Sequence, residues 1–339
     1  MAFVAEHAFL SGGRVNGVQR AGAWHEAQFG RASEACGVAS GRVNLIGDHI
    51  DYAGGTVLPM ALHECTVVAL ARATCDVFSS ASTVDLLWTR YAAGVLTELR
   101  ASGMAVPPVS VAVVSDLTIG AGLSSSAALE VAVARAALTL VNATMDADAL
   151  ALLCQRAEHR HAGTPCGIMD QWCVAHANPG EAILLDCARL DWRRLALPPT
   201  LRIELIDSGV RHALRDGGYA SRRAEVEEAA QRLGVDQLAA LPAARWSEID
   251  QLPDRLARRA RHVVRECARV HEAVRALESN DLAQFGRLLT ESHCSLRDEF
   301  DVSTPELDAI VAEACVHGAL GARMTGGGFG GCVVVAHRA

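Results

Sequence analysis

The stretch Ile119-Gly-Ala-Gly-Leu-Ser-Ser-Ser-Ala-Ala-Leu-Glu130 puts two glycines, three consecutive hydroxyls and the start of an apolar run side by side. Gly120 and Gly122 let backbone N–H groups turn toward a ligand. A helix beginning directly afterwards adds unpaired N–H groups and the positive end of its dipole, which together hold an anion without a side-chain cation. A serine-capped helix after a tight turn would account for a lone Gly-x-Gly. Gly120, Gly122, Leu123, Ser124, Ser125 and Ser126 ahead of an apolar helix point instead to a phosphate cradle.

A second glycine cluster, Met324-Thr-Gly-Gly-Gly-Phe-Gly-Gly331, contains Gly-x-Gly-x-x-Gly at 326, 328 and 331. The apolar Cys332-Val-Val-Val335 that follows reads as a strand, where a dinucleotide fold needs a helix. The cluster is therefore expected to be a loop leaving a helix for a strand, with backbone passing close to neighbouring loops. A third stretch, Gly41-Arg-Val-Asn-Leu-Ile-Gly-Asp-His-Ile-Asp-Tyr52, crowds Arg42, Asp48, His49, Asp51 and Tyr52 around one turn. Such a turn is either simply solvated or suited to a sugar, whose hydroxyls both donate and accept. Fourth, Glu158 falls near the C-terminal end of an expected helix, where the dipole disfavours a carboxylate. That placement implies a compensating charge, with Asp170 the neighbouring acid. His159 and His161 are two residues apart and share no helix face, so they are not read as metal ligands.

All 31 basic residues are arginine, which removes a Walker-A lysine, a protein-kinase strand lysine and a Schiff-base lysine together. A formal charge of -8 with no basic block excludes nucleic acid as a partner. No uncharged apolar run reaches the roughly 18 residues of a membrane span. Eleven cysteines without a Cys-x-x-Cys pair, and an opening without a signal-peptide pattern, place the chain in a reducing cytoplasm.

The elements that must position these groups follow from periodicity. Strands are expected from Arg42 and from Thr56, joined across Gly54-Gly55, and again at Val109–Val114. A buried helix spans Ser125–Val141, because only Glu130 and Arg135 are charged in it. A second helix runs from the N-cap Asp146 to a stop at Gly163, and a third, shorter helical stretch opens at Pro165. Strands return at Ala182 and Leu201. From Tyr219 to about Leu289 the pattern is helical and rich in arginine and glutamate, with charges expected to be mostly a solvated face. At 339 residues the chain suits two α+β domains, 1–180 and 181–339, with the break near Asn178-Pro-Gly180.

In their order and wording these motifs resemble the GHMP small-molecule kinase superfamily and its galactokinase branch, from about Gly41 to Ala336. The 41–52 stretch is the more specific signature; Pro165-Cys-Gly-Ile-Met-Asp-Gln171 and Ser208-Gly-Val-Arg-His-Ala-Leu214 with Tyr219 are also similar to that branch. The resemblance implies a ribosomal-protein-S5-like N-terminal domain, an α/β C-terminal domain and an active site in the cleft between them. It further implies ATP-dependent phosphorylation of a galactose-like sugar at its anomeric hydroxyl, by a monomer. Gly120–Ser126 would then wrap the ATP phosphates, Ser126 and Glu158 hold Mg²⁺, and Asp170 act as base with Arg42 as its partner. Asp48, His49, Asp51, Gly167 and Tyr219 would line the sugar pocket. Asp48 stands where relatives usually carry Glu, and Ile50 where they usually carry Thr. Galactose is therefore the expected substrate, with N-acetylgalactosamine, L-arabinose or a C6-altered galactose as alternatives. A non-catalytic sugar sensor is a remoter one, because the phosphate loop and Asp170 are intact.

Overall fold

The computed structural model describes residues 12–82, 86–211 and 217–339; His212, Ala213 and Leu214 of the galactokinase-like stretch lie outside them. Six strands build the first sheet: β1 (Ala35–Ile46), β2 (Thr56–Arg72), β3 (Val77–Ser80), β4 (Val109–Ser115), β5 (Ala182–Asp186) and β6 (Asp191–Leu195). Their order is β3-β4-β2-β5-β6, with β1 also paired to the long β2. Among the described pairings only β3–β4 is parallel. A smaller antiparallel sheet, β7 (Leu201–Asp207), β8 (Gly321–Thr325) and β9 (Cys332–Arg338), runs in the order β7-β9-β8.

Packed on these sheets are α1 (Gly12–Phe29), α2 (Thr89–Ala101), α3 (Ser125–Leu140), α4 (Ala147–Ala157), α5 (Met169–His176), α6 (Gly218–Arg232), α7 (Asp254–Glu278), α8 (Leu282–Asp298) and α9 (Pro305–Val316). Twelve of the sixteen residues of α3 are buried, Glu130 among them, as a helix apolar on nearly every side requires. It packs against β1 and β2. The Asp146 side chain caps α4 by accepting from the Ala149 N–H at 2.8 Å. After Ala157 the helix widens into a π-turn, Glu158–Ala162, and stops at Gly163 with φ +77°.

Three expectations need correcting. Residues 182–195 stay in the first sheet, because β5 pairs with β2 and β6 with β5, so a break after 180 cuts through that sheet. The change of sheet falls between Leu195 and Leu201, around Pro198-Pro199, which cannot donate to a ladder. The glycine cluster joins two antiparallel strands, β8 and β9, rather than a helix to a strand. Lastly, α7 is not merely a charged outer face: Arg259, His262 and Glu266 are buried. No helix among the described residues is long and apolar enough to cross a membrane.

Candidate active site

One cavity is lined by fourteen of the residues singled out from the sequence: Arg42, Asp48, His49, Asp51, Gly120, Gly122, Leu123, Ser124, Ser125, Ser126, Glu158, Gly167, Asp170 and Tyr219. They arrive from distant parts of the chain. Arg42 sits beside a bulge in β1, the 47–51 turn joins β1 to β2, and residues 120–126 lead into α3. Glu158 opens the π-turn, Asp170 lies in the first turn of α5, and Tyr219 in that of α6.

Arg42 organises the centre. Its Nε and Nη2 donate to Asp170 Oδ1 at 2.8 and 2.6 Å, and its Nη1 donates to the Gly122 carbonyl at 2.7 Å. Its backbone N–H reaches the Leu123 carbonyl at 3.1 Å. Burial alone would pull the guanidinium down; the Asp170 carboxylate beside it more than reverses this and holds Arg42 above its ordinary range. The other Asp170 oxygen, Oδ2, accepts from the Ser124 hydroxyl. Ser124 has φ +54° and makes no cap bond to α3, so the N–H groups at the start of the helix are not capped by it. The Ser124 hydroxyl, assigned from the sequence to the phosphate cradle, faces Asp170.

The two glycine loops touch. A Cβ on Gly122 would come within 2.9 Å of the Thr325 carbonyl, and one on Gly326 within 2.9 Å of the Gly122 Cα. Both have φ in the left-handed region, so space and backbone angle demand glycine together.

On the opposite wall, burial and the nearby Asp170 charge push Asp51 up to about 7. His49 is pushed down to about 3, chiefly by burial, and is neutral. Its Nε2 faces the Gly327 carbonyl at 3.2 Å and so carries the proton; Nδ1 accepts from the Tyr52 hydroxyl at 3.0 Å. Tyr219 packs at 5.4 Å from the His49 ring and edge-on to Tyr52 at 5.7 Å.

Glu158 is buried, and burial together with Asp170 raises it to about 7, against a hydrogen bond from Ser126. Behind it stands Glu130, raised well above its ordinary value by burial and by Glu158. The Gln171 side-chain amide donates to both, at 2.6 Å to Glu158 and 3.1 Å to Glu130. His159 and His161 have other partners, the Cys166 carbonyl and Glu98.

Sequence reasoning missed several lining groups. Thr164, Cys166 and Met169 lie within or beside a quoted motif, and Gly326 and Gly327 were assigned only to loop packing. Gln171 was quoted without a role. Nothing local marks Arg323, which is buried beneath the 47–51 turn.

Family models match along the chain: the galactokinase galactose-binding signature at residues 23–72, the GHMP kinases N terminal domain at 90–178 and the GHMP kinases C terminal region at 273–338. The chain is 41% identical to galactokinase of Streptomyces coelicolor over 333 residues, covering 91% of this chain and 85% of that one. It is also 41% identical to galactokinase of Homo sapiens over 337 residues, covering 91% and 84%. A solved Lactococcus lactis galactokinase complexed with galactose superposes with a TM-score of 0.86 at 29% identity, covering 94% of this chain and 90% of that one. L. major mevalonate kinase in complex with R-mevalonate, at 19% identity and TM-score 0.67, shares the fold.

Proposed function

We infer the reaction from membership: the chain belongs to the galactokinases of the GHMP kinase family, and it phosphorylates galactose at the anomeric hydroxyl with ATP. The observation that carries the reading is Asp170, a carboxylate oriented at both oxygens before substrate arrives. Arg42 grips one oxygen and Ser124, at the start of α3, the other.

In the proposed mechanism, Gly120–Ser126 and the open N-terminus of α3 bind the triphosphate. Asp51, His49 and Tyr219, with Asp48 behind them, orient the sugar. Asp170 accepts the proton of the anomeric hydroxyl as the oxygen attacks the γ-phosphorus and the bond to the departing ADP breaks. Arg42 holds the Asp170 carboxyl in place through two hydrogen bonds and offsets charge on the transferring group. Positioning and charge neutralisation carry most of such a transfer.

The residues fit a Mg²⁺ ion. Glu158 and Ser126 offer hard oxygens at one spot, and the raised Glu158 and Glu130 are carboxyls that a nearby cation would return to the ionised form. Among the described residues no three His, Cys, Asp or Glu side chains are grouped to hold a metal unaided. That suits an ion shared with nucleotide phosphates, whose charge it would neutralise when bound.

A monomer is the working unit that the resemblance implies. Eleven free cysteines support a reducing, cytoplasmic setting. For the domains we propose a junction at 196–200 in place of 180/181, since the sheet changes there.

The test is turnover of Asp170→Asn in an ADP-release assay with galactose and ATP. Loss of a positioned base lowers kcat by about 10²–10⁴-fold, while ATP binding stays near that of wild type. A kcat within a few-fold of wild type removes Asp170 from the role.

A further inference from the structure

The 47–51 turn is not self-supporting. Gly47 has φ +104° and His49 φ +64°, the latter uncommon for a residue other than glycine. Its fixings come from residues far along the chain. The Gly47 N–H donates to Glu266 Oε1 at 3.1 Å, and His262 Nε2 donates to the Asp48 carbonyl at 3.2 Å. The Gly326 N–H donates to Asp48 Oδ1 at 2.9 Å.

Arg323 on β8 completes the set. It is fully buried, with Nη2 2.5 Å from Asp48 Oδ2 and Nη1 donating to the carbonyls of Asn44 and Leu45 at 3.3 and 3.1 Å. One planar guanidinium therefore ties the end of β1 to the Asp48 carboxylate within the turn, a span that a lysine ammonium does not match. Asp48 is 2% exposed yet lines the cavity. A carboxylate this buried stays at a pocket wall only if something fixes it there. Burial does push Asp48 up from its ordinary range, and Arg323 is the leading influence pulling it back.

We propose that Arg323 is a positioning residue for sugar recognition: with the Gly326 N–H it fixes the Asp48 carboxylate at the pocket wall, so that the small sheet decides how a sugar hydroxyl is read on the large one. The proposal rests on the galactokinase reading.

The test compares wild type, Arg323→Met, Arg323→Lys, Asp48→Asn and the double variant Arg323→Met/Asp48→Asn. Each is assayed with galactose and with its 2-, 3-, 4- and 6-deoxy analogues, at saturating ATP. Arg323→Met is expected to raise the galactose KM by tenfold or more, with kcat and the ATP KM within about twofold. The one deoxy sugar that lacks the hydroxyl facing Asp48 should lose its handicap equally in Arg323→Met and Asp48→Asn. The double variant should be no worse than the poorer single one. Equal rises in both KM values, or a wild-type deoxy-sugar profile in Arg323→Met, overturns the proposal. If Arg323→Met does not fold, Arg323→Lys decides, because its single ammonium cannot hold Asp48 and two carbonyls together; a wild-type profile there is equally fatal. Failure of wild type to phosphorylate galactose sinks the functional reading itself, whereas an active wild type with an unaltered Arg323→Met sinks only this inference.

Discussion

Gly167→Ala tests the sugar wall with one methyl group. A Cβ built on Gly167 meets Asp51 Oδ2 at 1.8 Å, whereas real Cβ contacts essentially never fall under 3.0 Å. The carboxylate must therefore retreat by about 1.2 Å. An Asp oxygen swings about 2.4 Å from the Cα–Cβ axis, so this retreat is a rotation of about 30°, which costs about 0.5–1.5 kcal/mol off a rotamer. Gly167 is not in the left-handed region, so alanine adds no backbone strain at 167 and the fold should survive. The displaced oxygen matters far more for substrate. A misplacement of about 1 Å at a reacting centre costs about 10²-fold, so kcat/KM for galactose should fall by about that factor. ADP release at varied galactose and ATP reads the effect, and the ATP KM should not move. Repeating the change in an Asp51→Ala background should abolish most of the penalty, because the clashing oxygens are gone. A galactose kcat/KM within threefold of wild type, or a full penalty that persists in the Asp51→Ala background, refutes the reasoning.

Three further outcomes are expected. Gly122→Ala puts its Cβ 2.9 Å from the Thr325 carbonyl at a φ of +75°, and should raise the ATP KM at least tenfold while galactose affinity, read by titration calorimetry, holds. Ser124→Ala removes a donor to a charged acceptor, worth about 1.5–3 kcal/mol, so kcat should fall about 10–100-fold with the ATP KM unchanged; a rise confined to the ATP KM would mean that Ser124 serves phosphate instead. Asp51 has an ordinary value of 3.8 and stands at about 7 when folded, so the folded state binds the extra proton and stability falls as pH rises between about 4 and 7, by up to about 1.4 kcal/mol per unit. Thermal melts of the ligand-free protein should show Asp51→Asn lacking this contribution, its Tm advantage over wild type growing toward pH 7.5, and parallel Tm profiles for the two proteins would contradict it.

What the sequence disclosed and what it withheld divide by range. The α3 helix and its loop were readable because the signals are local: glycines, hydroxyls and an apolar run within a dozen residues. The Asp146 cap and the Gly163 stop were equally local. The grouping of Arg42, Glu158 and Asp170 came from resemblance, since nothing in their spacing says that they share one cavity. The sheet membership of β5 and β6 was misjudged because Asn178-Pro-Gly180 is a strong turn signal, and a turn looks the same whether the chain leaves a sheet or folds back onto it. Buried Glu266, His262 and Arg323 were hidden for a similar reason. On a helix or strand a charged residue reads as solvated unless its distant partner is known, and their partners at Gly47 and Asp48 lie more than 200 positions away.

The absence of lysine becomes intelligible at Arg42. An ammonium is a point charge, able to neutralise one neighbour or to support a phosphate, whereas a guanidinium offers a rigid fork. Here the fork meets Asp170 along one edge and the Gly122 carbonyl with the remaining nitrogen. The carboxylate and the phosphate loop are thereby set at a fixed distance from each other by a single rigid group. Ser124, held in the left-handed region at the entrance to α3, closes the same triangle from the loop side. In a transfer that depends on where two oxygens and a phosphorus stand, such rigidity is worth more than an additional positive charge. The glycines at 122 and 326 serve the same end, since only bare backbone lets the two loops approach this closely.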